Sequence, residues 1–361
     1  SSCQASSFNW TYQSMRLYTT DSSSSSSTSK ASTTSTTSTT KRRYSAASSN
    51  SNNSNSNNTN HSHHGQHHHT QQTAGASQQV THPALVKLSE MPQRINYQIS
   101  RENNNPVGIN RQEGSRTRFT WKGLPRTVLI VKKHKDKRTA MWLHTIALWL
   151  KEKYNLRVLV EPNVLATVES SHIESYSDEE RHMLGKVVDF VITLGGDGTL
   201  LHVSSLFRED VPPIISFHLG TLGFLMPFNV EDYQDAISNV IKGEFLCTNR
   251  MRLTCDIYQK QQLGTDQPSK SFQVMNEVTI HRGSNPHSVV INCTINGHML
   301  TDIVGDGLIV ATATGSTAYS LSCGGPMVHP CINCILITPI APSSLTSKPS
   351  LLPDDSVLKL N

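Results

Sequence analysis

The 361-residue sequence has no run of about 18 apolar residues, so no membrane-spanning helix is expected. Its first residues, Ser1 to Gln13, lack the basic segment and apolar core of a secretory signal, and there is no initiator Met. No GxxxxGK[ST] spacing and no GxGxxG turn occur, which sets aside a Walker-type loop and a simple dinucleotide turn. The seven cysteines are odd in number and follow no framework spacing, which points to a reducing, cytoplasmic setting. Acidic residues are nearly missing from the first 80 positions, where Asp21 alone stands against five Lys and Arg. The remainder holds 27 Lys and Arg and 26 Asp and Glu. That balance leaves no broad basic face for nucleic acid but allows a compact anion site.

From Asp21 to about Gln79 the chain is Ser, Thr, Asn, Gln and His with almost no apolar anchor. Such a stretch cannot bury enough surface to offset its chain entropy, so a disordered tail is expected over 1–118. His61, His63, His64, His67, His68 and His69 read as part of that polar tract rather than as a metal site.

Beyond Phe119 strands alternate with helices. Thr127–Val131 is a short β-branched run, 138–153 sets Met141, Trp142, Ile146 and Leu150 at helical spacing, and strands follow at 156–160, 187–194 and 213–217. This predicts an α/β domain with a parallel sheet over 119–243. After Gly243 the texture becomes short β runs with Gly and Asn turns, Asn296-Gly297 between two of them, and a mostly β domain is expected over 244–361. Ligands of open α/β sheets bind beyond the carboxyl ends of the strands, so the cleft between the domains is the expected site.

The third strand runs into Gly195-Gly196-Asp197-Gly198-Thr199. Glycines let backbone N–H groups approach a phosphate, and the helix that follows adds partial positive charge. An acid there would repel phosphate unless a divalent cation bridges them or it acts as a base, a combination that suggests phosphoryl transfer. The competing reading is a tight turn with Asp197 as a helix cap. Three other stretches favour the first: His218 to Leu225, again glycine-rich at a strand end; Asn276-Glu277 interrupting an apolar strand; and Thr312 to Ser320, which crowds hydroxyls of Thr314, Ser316 and Thr317 around Gly315, suited to ribose and phosphate.

Taken together, GGDGT, HLGTLGFL, the Asn-Glu pair and TGSTAYS resemble the NAD kinase family from about Phe119 to Leu360. The resemblance implies ATP-dependent phosphorylation of the adenosine-ribose 2′-hydroxyl of NAD, with Mg²⁺ or another divalent cation, in a homodimer or homotetramer. It makes Asp197 the general base, places Gly198 and Phe224 in the nucleotide pocket, and assigns Asn276 and Glu277 to the riboses. Asp306, Thr317, Ala318, Tyr319 and Ser322 become further NAD contacts, and Arg252 a cation facing phosphates. Ala313 stands where the family usually has Pro, and the resemblance implies further strands beyond Asn361. Two alternatives stand beside this reading: a lipid kinase of the GGDGT superfamily, and an NAD-binding chain without turnover.

Overall fold

A computed structural model of the chain describes residues 2–16, 84–101, 116–165, 170–243, 245–258 and 268–361; the histidine cluster lies outside these. Four strands come first: β1 (Ser2–Arg16), β2 (Ala84–Leu85), β3 (Tyr97–Arg101) and β4 (Arg116–Trp121). The α/β half then runs β5 (Thr127–Lys132), α1 (Lys137–Tyr154), β6 (Arg157–Val160), α2 (Pro162–Leu165), β7 (Ile173–Ser175), α3 (Leu184–Val187), β8 (Phe190–Gly195), α4 (Asp197–Leu206), β9 (Ile214–His218), β10 (Phe228–Asn229) and α5 (Tyr233–Lys242). The β-rich half comprises β11 (Phe245–Tyr258), β12 (Lys270–Val274), β13 (Glu277–His281), β14 (Val289–Ile295), β15 (His298–Gly305), β16 (Gly307–Thr312), α6 (Tyr319–Ser322), β17 (Cys334–Ile340), β18 (Ser350–Pro353) and β19 (Val357–Leu360).

In the α/β half the strands pair in parallel in the order β9-β8-β5-β6-β7-β2. β5 is buried at every position because helices cover both faces of the sheet. Successive side chains of a strand point to opposite faces and so feed two cores. Val128, Ile130, Leu194 and Phe217 pack with α1 and α5; Leu129, Val131, Val191 and Ile214 pack with α3 and α4. Helix α1 begins where Asp136 Oδ1 accepts from Arg138 N at 2.9 Å, and it ends on Asn155 in the left-handed conformation. Its buried face is Leu143, Ile146, Ala147 and Leu150, each Leu or Ile contributing roughly 1.5–3 kcal/mol over exposure. Met141, expected on that face, is exposed; Trp142 and Trp149 meet Tyr233 edge-on at 5.9 and 5.3 Å.

The β-rich half is a sandwich. An antiparallel four-stranded sheet, β13-β16-β17-β18, faces strands β11, β14, β15 and β19, and Leu253, Ile291, Ile303, Val310, Ile335 and Leu358 fill the space between. Asn296 and Gly297 turn the β14–β15 hairpin with φ of 50° and 84°, the positive values that Asn-Gly supplies cheaply.

The expected disordered stretch 1–118 contains ordered pieces. β1 pairs with β11, β19 and β9. Leu88 is fully buried, and its N–H and that of Ser89 donate to the Glu180 carboxylate, while Ile95 N donates to Asp189 at 2.6 Å. Docking here rests on long-range hydrogen bonds to acids that local composition does not reveal.

Candidate active site

β5, β6 and β7 step outward on one side, and β8 and β9 return on the other side of β5. The strand order therefore reverses between β5 and β8, and the carboxyl ends of those two strands flank the crevice that open sheets use for ligands. β8 ends there in Gly195, and the chain turns directly into α4.

Gly196, not Asp197, is the cap residue of α4, and its carbonyl accepts from Thr199 N at 2.8 Å. The Asp197 carboxylate turns instead to the glycine-rich segment after β9. Oδ2 accepts from Phe224 N at 3.0 Å and Oδ1 from Leu225 N at 2.9 Å. A side chain on Gly223 would run into that carboxylate, so the close approach requires glycine. An ionised carboxylate accepts about four hydrogen bonds, so each oxygen keeps capacity for a substrate hydroxyl. Thr199 is buried, with its hydroxyl under Gly195, whereas Gly196 and Gly198 have open space where a Cβ would stand. Phe224 is 77% exposed at the mouth of the loop.

The β-rich half brings its own polar groups to the same place. Met275 shares a core with Leu200 of α4 and with Leu225, which sets the next residues, Asn276 and Glu277, beside the loop. Asn276 O accepts from Thr312 N at 2.9 Å and Met275 O from the Thr312 hydroxyl at 2.6 Å. A Cβ on Gly315 would fall on the Asn276 backbone, so the turn after β16 and the Asn-Glu pair form one unit. Asn276 Oδ1 and Glu277 Oε2 are buried with no hydrogen-bond partner, and burial raises the Glu277 carboxyl above its ordinary value. Such atoms are costly unless a ligand satisfies them. Thr314 is buried and takes a hydrogen bond from Arg250 Nη1 at 3.2 Å; Thr317 and Ala318 are half-buried; Tyr319 and Ser322 are exposed.

Three expected site residues stand elsewhere. Arg252 does not face phosphates. It is 1% exposed and donates to the carbonyls of Ser204, Phe207 and Glu209, closing the carboxyl end of α4. Ser316 is fully buried and braces the turn, bonding Ala313 O and accepting from Val328 N. Asp306 precedes β16 and pairs with Arg282 Nε at 2.7 Å; the Gly315 turn follows the far end of that six-residue strand, roughly 20 Å away at about 3.3 Å per residue.

Two pairs were missed from the sequence. Arg250 reaches Thr314, yet Arg250 and Arg252 are two apart on one strand, and spacing alone could not separate their roles. His202 on α4 pairs with the largely buried Glu161 at 2.7 Å, a contact across 41 positions that leaves no local signal.

Residues 128–245 match the family model of the ATP-NAD kinase N-terminal domain, and residues 275–361 that of the ATP-NAD kinase C-terminal domain. The chain is 44% identical over 254 residues to the probable chloroplastic NAD kinase 2 of Oryza sativa subsp. japonica, over 66% of this chain and 25% of that protein. It is 43% identical over 236 residues to the mitochondrial NADH kinase pos5 of Schizosaccharomyces pombe, over 65% of this chain and 59% of that one. Its fold is similar to that of yeast NADH kinase complexed with NADH, with a TM-score of 0.67 and 30% identity over 77% of this chain and 84% of the other. Against the plant and yeast relatives, the chain spans 25% to 60% of their own length. With family models over more than half of its residues and the fold of a solved member, the chain belongs to the NAD kinase family.

Proposed function

We propose that the chain transfers the γ-phosphoryl group of ATP to the adenosine-ribose 2′-hydroxyl of NAD. The observation that carries this reading is Asp197: a carboxylate fixed by two backbone amides inside a glycine loop at the sheet's switch point, beside the buried, unpartnered acceptors of Asn276 and Glu277. Those acceptors suit ribose hydroxyls, which donate. In the transfer the 2′-oxygen forms a bond to the γ-phosphorus, the bond from that phosphorus to the bridging oxygen breaks, and ADP leaves. Asp197 takes the hydroxyl proton as the new bond forms, which general-base catalysis values at about 10²–10⁴-fold. The start of α4, with Gly196 and Gly198 free of side-chain obstruction, receives phosphate oxygens.

Among the described residues no three His, Cys, Asp or Glu converge on a metal site. That suits Mg²⁺, which keeps most of its waters and is carried by the phosphates with one or two carboxylates, here Asp197. Bound there, it would neutralise developing charge on the phosphoryl oxygens. Assembly as a homodimer or homotetramer, which the family resemblance implies, belongs to the same reading. NADH is the second acceptor to consider, because NADH kinases stand among the relatives and the solved neighbour was crystallised with NADH.

The test is incubation of the chain with ATP, Mg²⁺ and NAD or NADH, with the 2′-phosphorylated product measured and diacylglycerol and sphingosine run in parallel. NADP or NADPH formation supports the reading. Turnover of a lipid without either product overturns it.

A further inference from the structure

The phosphate loop carries an acid and no cation of its own, so a polyphosphate approaching it meets a net negative charge unless another element supplies a base. We propose that Lys133 is that base: the residue that binds the donor's phosphates at this loop. The inference rests on the kinase reading for what the donor is, but not for where the cation sits.

Lys133 follows β5 directly, on the other bank of the switch-point crevice from Gly195. Its backbone N–H donates to Leu194 O at 2.8 Å, extending the β5–β8 ladder by one residue to the edge of the loop. The absent side chain of Gly195 would lie 3.0 Å from Lys133 Cβ and would also run into the Thr199 hydroxyl. Lys133 and the first turn of α4 therefore line the same face of the sheet edge. Glycine at 195 leaves the space between them free. The Lys133 side chain is exposed and makes no hydrogen bond or ion pair with the described residues. Lys135 and Lys137 are also exposed, but of the bases in this segment it is Lys133 whose Cβ borders Gly195. Lys132 is 92% buried, and Arg138 is engaged with Asp136 and Leu219 O. Asp136 is the one acid between 132 and 138, and its carboxylate is held by the start of α1. A lysine ammonium at this point does for the glycine loop what the lysine inside a Walker loop does for its own.

The experiment measures binding of inorganic triphosphate, of ATP and of NAD to the full chain by titration calorimetry, in the parent, Lys133→Met, Lys133→Arg and Lys242→Met. Lys242 is an exposed base in the last turn of α5 and serves as the control for general charge. Lys133→Met is expected to weaken triphosphate and ATP about ten- to a hundredfold, the factor of one charge-assisted hydrogen bond. Lys133→Arg should keep most of that affinity, and NAD binding and melting temperature should not move. The loss should shrink as salt is raised, because the side chain is exposed. Unchanged triphosphate affinity in Lys133→Met, or an equal loss in Lys242→Met, overturns the proposal, as does a parent that binds no triphosphate. A parent that binds triphosphate and ATP, yet forms no NADP or NADPH, overturns the kinase reading alone, and the Lys133 comparison still decides the cation.

Discussion

The two halves of the molecule treat their polar groups in opposite ways. In the α/β half both oxygens of Asp197 are already held by backbone amides, and Arg252 fills the open carbonyls at the far end of the same helix. In the β-rich half Asn276 Oδ1 and Glu277 Oε2 are buried without partners, next to a turn whose other hydroxyls are satisfied. The first half has its carboxylate already oriented by these bonds. The second keeps hydrogen-bonding capacity in reserve, at a cost of about 1–3 kcal/mol per buried group left open. Preorganised groups act on the transition state, whereas open groups act on ground-state binding. Substitutions in the two halves should therefore separate turnover from affinity.

The largest effect is expected at Asp197. Asp197→Asn should lower kcat about 10²–10⁴-fold while NAD affinity changes far less. The amide also turns an N–H toward a backbone N–H, so a stability loss of about 1–3 kcal/mol should accompany it. Near-normal kcat in a variant that melts early would reduce Asp197 to a loop brace. Next comes Arg252→Met, which leaves the buried carbonyls of Ser204 and Phe207 and the part-buried one of Glu209 open and should cost about 2–4 kcal/mol in urea unfolding, with kcat per folded molecule nearly intact. A specific loss of ATP affinity without destabilisation would return Arg252 to the phosphates.

How far each half could be read from its residues follows the same divide. β5, β6, β8 and β9 were legible because a strand buried on both faces is a plain apolar run, and because β8 stops in glycines. α1 showed its stripe, though Met141 points outward. The β-rich half was legible as texture and as the Asn296-Gly297 hairpin, while its sandwich pairing, set by contacts far apart in sequence, was not. Asp197 stood out in the sequence as the acid of a glycine loop, but its geometry did not: its partners lie 27 and 28 positions away. Ser316 looked like its neighbours until the structure buried it. β1 was passed over although Phe8, Trp10 and Tyr12 alternate at strand period, because the serine-rich stretch beyond it dominated the composition.

A glycine can test the coupling inside the second half. In Gly315→Ala the new methyl would meet the Asn276 carbonyl, so Asn276 must shift away from Thr312. The expected result is NAD affinity reduced about tenfold or more, with triphosphate binding unchanged, since the α/β loop is untouched. Equal loss of both ligands in calorimetry would show that the halves are not separable in this way.

The smallest effect, and the most direct probe of the reserve, is Glu277→Gln. Burial raises the folded-state pKa of this carboxyl above its unfolded value. Between those two values the native chain binds more protons than the unfolded one, so stability falls as pH rises through that window. Below the ordinary glutamate range of about 4, both states are protonated and the residue costs nothing. Above the folded value the whole cost of holding a buried carboxylate remains. Glutamine does not titrate, so the variant should melt above the parent at neutral pH, and the gap should close as pH is lowered past the glutamate range. NAD affinity should move the other way, weakening about three- to tenfold at neutral pH, because a charged acceptor for a ribose hydroxyl has been replaced by a neutral one. A melting gap that is constant from pH 4 to 8 would show that Glu277 is not carrying a buried charge. Unchanged NAD affinity would show that its open oxygen does not face the dinucleotide.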